Sequence, residues 1–99
     1  MKKYCLVVTY HAAAAGGREE FLEEVAAEGI RETVLAEEGC LKYDYYLSAD
    51  DPCELVVLEE WTTVENQQAH VARPHMARLR EIKNKYMTST VLQTYWNED

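Results

Sequence analysis

The chemically versatile side chains of this chain gather in one short stretch. It runs Glu59-Glu60-Trp61, then Thr62-Thr63-Val64-Glu65, then His70-Val71-Ala72-Arg73-Pro74-His75-Met76. Glu59 and Trp61 lie two apart in strand-like sequence, so they share one face with Val57 and Leu55. An acid on that apolar stripe needs either a cation such as Arg73, Arg78 or a lysine, or a wet cavity, because an unpaired buried carboxylate is costly. His70 and His75 flank Pro74. An imidazole lining a cavity between helix and sheet can give or take a proton near neutral pH. The structural alternative packs one ring against the sheet end and leaves the other to cap or bond locally. No metal site is expected, because two ligands on one helical face want i, i+4 spacing. These histidines are spaced i, i+5 across a proline, and Cys5, Cys40 and Cys53 complete no set with them.

Tyr43 and Tyr45 share one face of a second strand, with Tyr46 opposite. Phenol groups facing an apolar cavity can orient an oxygenated aromatic guest, although sheet packing also explains tyrosines. Seven tyrosines and two tryptophans against one phenylalanine favour an interior suited to an amphipathic molecule. His11, at the end of the first strand, either joins that lining or stands exposed. Nothing resembles a phosphate loop, a nucleotide-binding glycine fingerprint or a cysteine nucleophile beside a histidine.

The elements that must position these groups are legible from periodicity. Residues 3–11 predict a strand that is apolar on both faces, with Tyr4, Leu6, Val8 and Tyr10 on one side and Cys5, Val7 and Thr9 on the other. A helical pattern follows from Arg18 to about Glu38, with Phe21, Leu22, Val25, Ala26, Ile30 and Val34 inward and Gly39 as its left-handed cap. Residues 41–48 and 53–61 predict two more strands, joined by the turn Ala49-Asp50-Asp51-Pro52. Thr62-x-x-Glu65 reads as a capping box, Arg73-Pro74 as a helix break, and Pro74 to Tyr86 as a second helical piece. Residues 88–96 alternate as a final strand. The order is β-α-β-β-α-β, the α+β ferredoxin-like arrangement with a four-stranded antiparallel sheet and its helices on one face. Strands apolar on both faces then require a cover for the other side, and a second copy is the economical one, giving an expected homodimer.

Composition narrows the function classes. Ninety-nine residues suit a single domain spanning 1–99. A formal charge of −8 argues against nucleic acid and against an anionic membrane as partners. No apolar run approaches the ~20 residues of a membrane span, no signal-peptide pattern opens the chain, and three scattered cysteines suit a reducing cytoplasm.

On this order of elements, four features make the chain resemble the antibiotic biosynthesis monooxygenase (ABM) family over roughly residues 3–96. They are Glu38-Gly39-Cys40 opening the second strand, Tyr43, Glu59-x-Trp61 and His70-x-x-x-Pro74-His75-Met76. The resemblance implies a dimeric α+β barrel with a cavity in each protomer. For several members it also implies oxidation of quinols or polycyclic phenols by O₂ without metal, flavin or haem. The substrate's own anion would reduce O₂, and the protein would supply deprotonation, orientation and a dry pocket. His70, His75 and Glu59 are then the candidate catalytic residues. Tyr43, Tyr45, Trp61 and His11 are the candidate binding residues for an aromatic substrate, and no cofactor is expected. The family also resembles haem-degrading enzymes, but these carry a tryptophan about where His70 stands, and no histidine follows His75 to ligate iron. A small-molecule isomerase like the autoinducer-2 degradation protein and a non-catalytic small-molecule-binding dimer are the alternative functions.

Overall fold

A computed structural model describes residues 1–98. Strand β1 (Lys2–Ala12) is followed by helices α1 (Gly17–Ala27) and α2 (Ile30–Leu35), then strands β2 (Cys40–Leu47) and β3 (Glu54–Trp61). Helices α3 (Val64–Val71) and α4 (Pro74–Tyr86) lead into the last strand, β4 (Met87–Glu98). The sheet order is β2-β3-β1-β4, with every neighbouring pair antiparallel. This is the expected ferredoxin-like α+β fold, with each helical segment divided in two.

The register decides which side chains meet under the helices. Leu6 pairs with Glu59, Val8 with Val57, Tyr43 with Glu59 and Tyr45 with Val57. Those residues, with Leu55, Tyr10 and Trp61, form the covered face. Phe21 and Val25 of α1, Ile30 and Val34 of α2, and Met76, Leu79 and Ile82 of α4 pack onto it. Each fully buried side chain of this size contributes ~1.5–3 kcal/mol. Glu59 is therefore carried to the middle of the sheet on the inner face.

Three local expectations are corrected. The helix predicted from Arg18 to Glu38 breaks at Gly29, whose φ of 63° is left-handed. Val25 and Ile30 are five residues apart, out of phase for one helical face, and the break re-aims α2 so that Ile30 and Val34 both reach the core. The cap of α3 is Thr63 rather than Thr62: Asn66 N donates to Thr63 Oγ1 at 3.0 Å, while the Asn66 amide donates to Thr62 Oγ1 at 2.8 Å. Gly39 caps no helix, since α2 ends at Leu35. Its φ of 80° instead turns the chain into β2, and its carbonyl accepts from Thr62 N at 2.9 Å. The break at Arg73-Pro74 falls where the sequence places it, with Pro74 opening α4.

Side-chain anchors tie the helices to the sheet edge. The Arg31 guanidinium donates to Tyr43 O at 2.8 Å and to Asp44 Oδ1 at 2.7 Å. Arg18 Nη1 reaches three carbonyls around the β2–β3 turn, those of Ser48, Asp51 and Glu54. Among the described residues, no element covers the other face of the sheet. It presents Val7, Val56 and Leu58 in the centre and exposes Tyr46, Val91 and Tyr95 toward its edges. β4 is exposed from Thr88 onward. No described helix is long and apolar enough to cross a membrane.

Gly39 offers a direct check on this architecture. A Cβ there would lie 2.6 Å from Thr62 Oγ1 and closer still to the Asn66 amide, on a backbone that L-residues avoid. Gly39→Ala should cost about 2–3 kcal/mol, from the left-handed penalty plus loss of the Asn66–Thr62 bond. Urea melts within about 0.5 kcal/mol of wild type would refute this account.

Candidate functional site

The space between the sheet and helices α3 and α4 holds a cavity of about 180 Å³. Its wall is mostly apolar, with Leu6, Val8, Met76 and Leu79, and its polar members include Glu59, Tyr43, His70, Gln67 and Lys83. Thr90 and Leu92 of the exposed β4 form one side. Glu59 is only 6% exposed, and Trp61 Nε1 donates to its Oε1 at 3.0 Å. Burial pushes the Glu59 carboxyl up to about 7; the indole bond opposes that rise and the charge on Glu37 adds to it. Burial likewise holds the Tyr43 phenol well above its ordinary range and Tyr45 at about 12, so both remain hydroxyl groups near neutral pH.

His70, 2% exposed, stands beside the indole of Trp61 (ring centroids 4.7 Å apart) and edge-on to Tyr43 at 5.9 Å. Its Nδ1 lies 2.8 Å from Glu37 Oε2. Burial lowers the His70 pKa although Glu37 acts the other way. An ionised carboxylate only accepts, so Nδ1 carries the proton of the neutral ring and Nε2 keeps the lone pair. This is the arrangement of a base held in one tautomer by an acid behind it.

Glu37 is the residue that sequence reasoning passed over. It sits in the turn between α2 and β2, two residues before Gly39, with a side chain only 6% exposed. Burial alone would raise its carboxyl, but the bonds from His70 and His75 outweigh that and hold it below the usual range. Its Oε1 is buried without a hydrogen-bond partner, and the nearest cation, Arg73 Nε, stands 3.5 Å away. One sequence signal was available. Glu37 and Glu38 follow a helix end, where the dipole disfavours acids, so a cationic or donor partner had to come from elsewhere.

The remaining candidates divide by position. His75 Nε2 also meets Glu37 Oε2 at 2.8 Å, but its ring belongs to a second, open hollow of about 410 Å³ with Arg73 and Pro74. Trp61 is fully buried and connects His70 to Glu59. Tyr45 packs edge-on against Tyr43 at 5.7 Å, its own oxygen buried without a hydrogen-bond partner, and it faces a third hollow with Leu22 and Arg31. His11 stands apart: it lies on the other face of β1 and meets Asp51 at 2.9 Å. Among the described residues, Glu59 meets no cation; its partner is the indole.

The sequence profile of the antibiotic biosynthesis monooxygenase family matches residues 4–82. The chain belongs to that family. Solved structures agree on the fold. A candidate antibiotic biosynthesis monooxygenase from Nitrosomonas europaea superposes with a TM-score of 0.83 at 26% identity, covering 94% of this chain and 88% of its own. A conserved protein from Methanosarcina mazei gives 0.84 at 23% identity, covering 96% and 92%. A Pseudomonas aeruginosa protein gives 0.84 at 21%, covering 100% and 97%. A search of the curated proteins finds no match to the chain. The ABM match takes in Glu37, Tyr43, Glu59, Trp61, His70 and His75, and stops before β4.

In this ABM domain, Glu59 makes stability depend on pH with a definite sign. Its folded pKa lies above the usual 4.5, so between 4.5 and about 7 the folded chain keeps a proton the unfolded chain has released. The stability it confers is complete below that window and is lost as pH rises through it. Urea denaturation from pH 5 to 8 should show wild type losing about 2–3 kcal/mol more than Glu59→Gln. Parallel pH profiles would show that the carboxyl is not perturbed. Glu37, shifted the other way, is ionised throughout this range.

Proposed function

We propose that the chain is a cofactor-independent monooxygenase that oxidises a quinol or polycyclic phenol with O₂. One observation carries the reading: a single apolar cavity joins an imidazole held as a proton acceptor to a carboxyl group poised near neutrality. Membership in the ABM family and the likeness to the Nitrosomonas europaea protein support the oxygenase class. In this reading His70 Nε2 takes the phenolic proton. The resulting phenolate passes an electron to O₂, the radical pair joins through a new C–O bond, and the hydroperoxide loses water. A ring C–H and a phenolic O–H thus become a quinone carbonyl pair and water, with all electrons supplied by the substrate. Glu59 and Tyr43 orient the substrate oxygens, and His75 acts through Glu37 as a positioning residue. Drug-sized ligands occupy pockets of ~300–1,000 Å³, so a cavity of about 180 Å³ favours a one- or two-ring substrate over a tetracyclic one.

The homodimer belongs to the same proposal. The uncovered sheet face is apolar at its centre, and an exposed apolar face of that kind favours a second copy as its cover. Light scattering should give twice the chain mass at micromolar concentration, with more than ~1,000 Å² buried in the contact. A stable monomer would reject it.

The activity is tested by O₂ uptake with a dihydroxynaphthalene-type quinol. Wild type should turn over, and His70→Ala should lose about 10²–10⁴-fold, the usual worth of a positioned base. His75→Ala should lose less. A folded His70→Ala that keeps wild-type turnover makes the imidazole structural. No uptake with any quinol tested ends the oxygenase reading and moves the non-catalytic binding dimer ahead.

A further inference from the structure

We propose that Glu37, His70 and His75 form a binding site for a divalent transition-metal ion of the zinc class. The i, i+5 spacing argues against such a site only if one helix carries both rings. The break between α3 and α4 instead swings them onto the same carboxylate, and one donor atom from each residue lies within 4.8 Å of the others. Two imidazoles and one carboxylate suit zinc and its neighbours, whereas calcium and magnesium want oxygen ligands throughout.

The site is largely formed in advance. Both ring nitrogens stand 2.8 Å from Glu37 Oε2. Ligands ~2.1 Å from a tetrahedral ion are ~3.4 Å apart, so each nitrogen–oxygen contact need open by about half an ångström, while the two ring nitrogens, within 4.8 Å of each other, settle to the same spacing. His75, with a side chain 19% exposed on the first turn of α4, has room to make that adjustment. A second observation points to a cation independently: Glu37 Oε1 is buried with no hydrogen-bond partner. Arg73 Nε pairs with that oxygen only at 3.5 Å, from a side chain that is 46% exposed. The open hollow beside His75 supplies an entry path and space for a water ligand.

Metal binding would reverse the polarity of the cavity, a consequence that rests on His70 acting there as the base. With Nδ1 on the metal, the neutral ring carries its proton on Nε2, so the nitrogen that the proposed function uses as the base becomes a donor. The ion would arrest proton abstraction and thereby act as an inhibitor. Chelator-treated full-length chain should be titrated calorimetrically with Zn²⁺ and followed by visible absorption with Co²⁺, in the absence of quinol. One ion per chain is expected, with the absorption of a low-coordinate N/O cobalt site. Glu37→Gln and His75→Gln should each weaken binding beyond the 10–100-fold that loss of an outer-shell partner typically costs. If Glu37→Gln fails to fold, His75→Gln decides, since its ring is partly exposed. Absence of stoichiometric binding, or unchanged affinity in the folded variants, overturns the site. Because no quinol is present, the result is independent of whether the chain consumes O₂.

Discussion

A carboxylate removed from water must find donors, and Glu37 finds them in two imidazoles from different helices. Much of the local architecture serves that meeting. Gly39 turns the chain sharply and bonds it to Thr62 at the end of β3, which fixes the Glu37 turn against the start of α3. Pro74 ends one helix and opens the next, so that His70 and His75 approach the same oxygen from either side of the break. Without the break the rings would point about 140° apart on one helix, and the carboxylate would keep at most one of them.

Two acids in this small core are driven in opposite directions. Glu37 is held ionised by imidazole N–H bonds; Glu59, with an indole as its hydrogen-bond partner and apolar surroundings, retains its proton up to about 7. Burial acts on both, and the number of donors decides the outcome. Environments that push like groups apart distinguish proton donors from acceptors in many enzymes. Here the indole of Trp61 connects the two halves, touching His70 on one side and bonding Glu59 on the other.

The sheet also has two roles. Its covered face supplies the cavity floor, while the uncovered face and the exposed β4 leave a large apolar area on a small domain. A chain of this length buries only ~60–70% of its unfolded surface, so little material remains for a second layer. That constraint explains why the fold is retained among solved structures of 21–26% identity: alternating apolar strands and one layer of helices satisfy it with many sequences.

Much of this was legible in the chain itself. Strand periodicity, turn chemistry and the Arg73-Pro74 break are local properties, and they specify four strands, their order along the chain and that Glu59 and Trp61 share a face with Val57 and Leu55; which face the helices cover was decided by the tertiary structure. The inner stripe of the first helical segment was legible as well, except where Gly29 rephases it, because a helix wheel drawn through residues 18–38 assumes a continuity the backbone does not have. What sequence alone could not decide was which side chains meet across elements. Glu37 lies 33 residues before His70, and no local pattern links them. His11 and His70 look equally available in the chain, yet strand register sends His11 to the Asp51 turn, while the packing of α3 carries His70 into the core. Spacing along a helix predicts neighbours only while the helix continues; once it breaks, the partners of a buried polar group are chosen by tertiary packing.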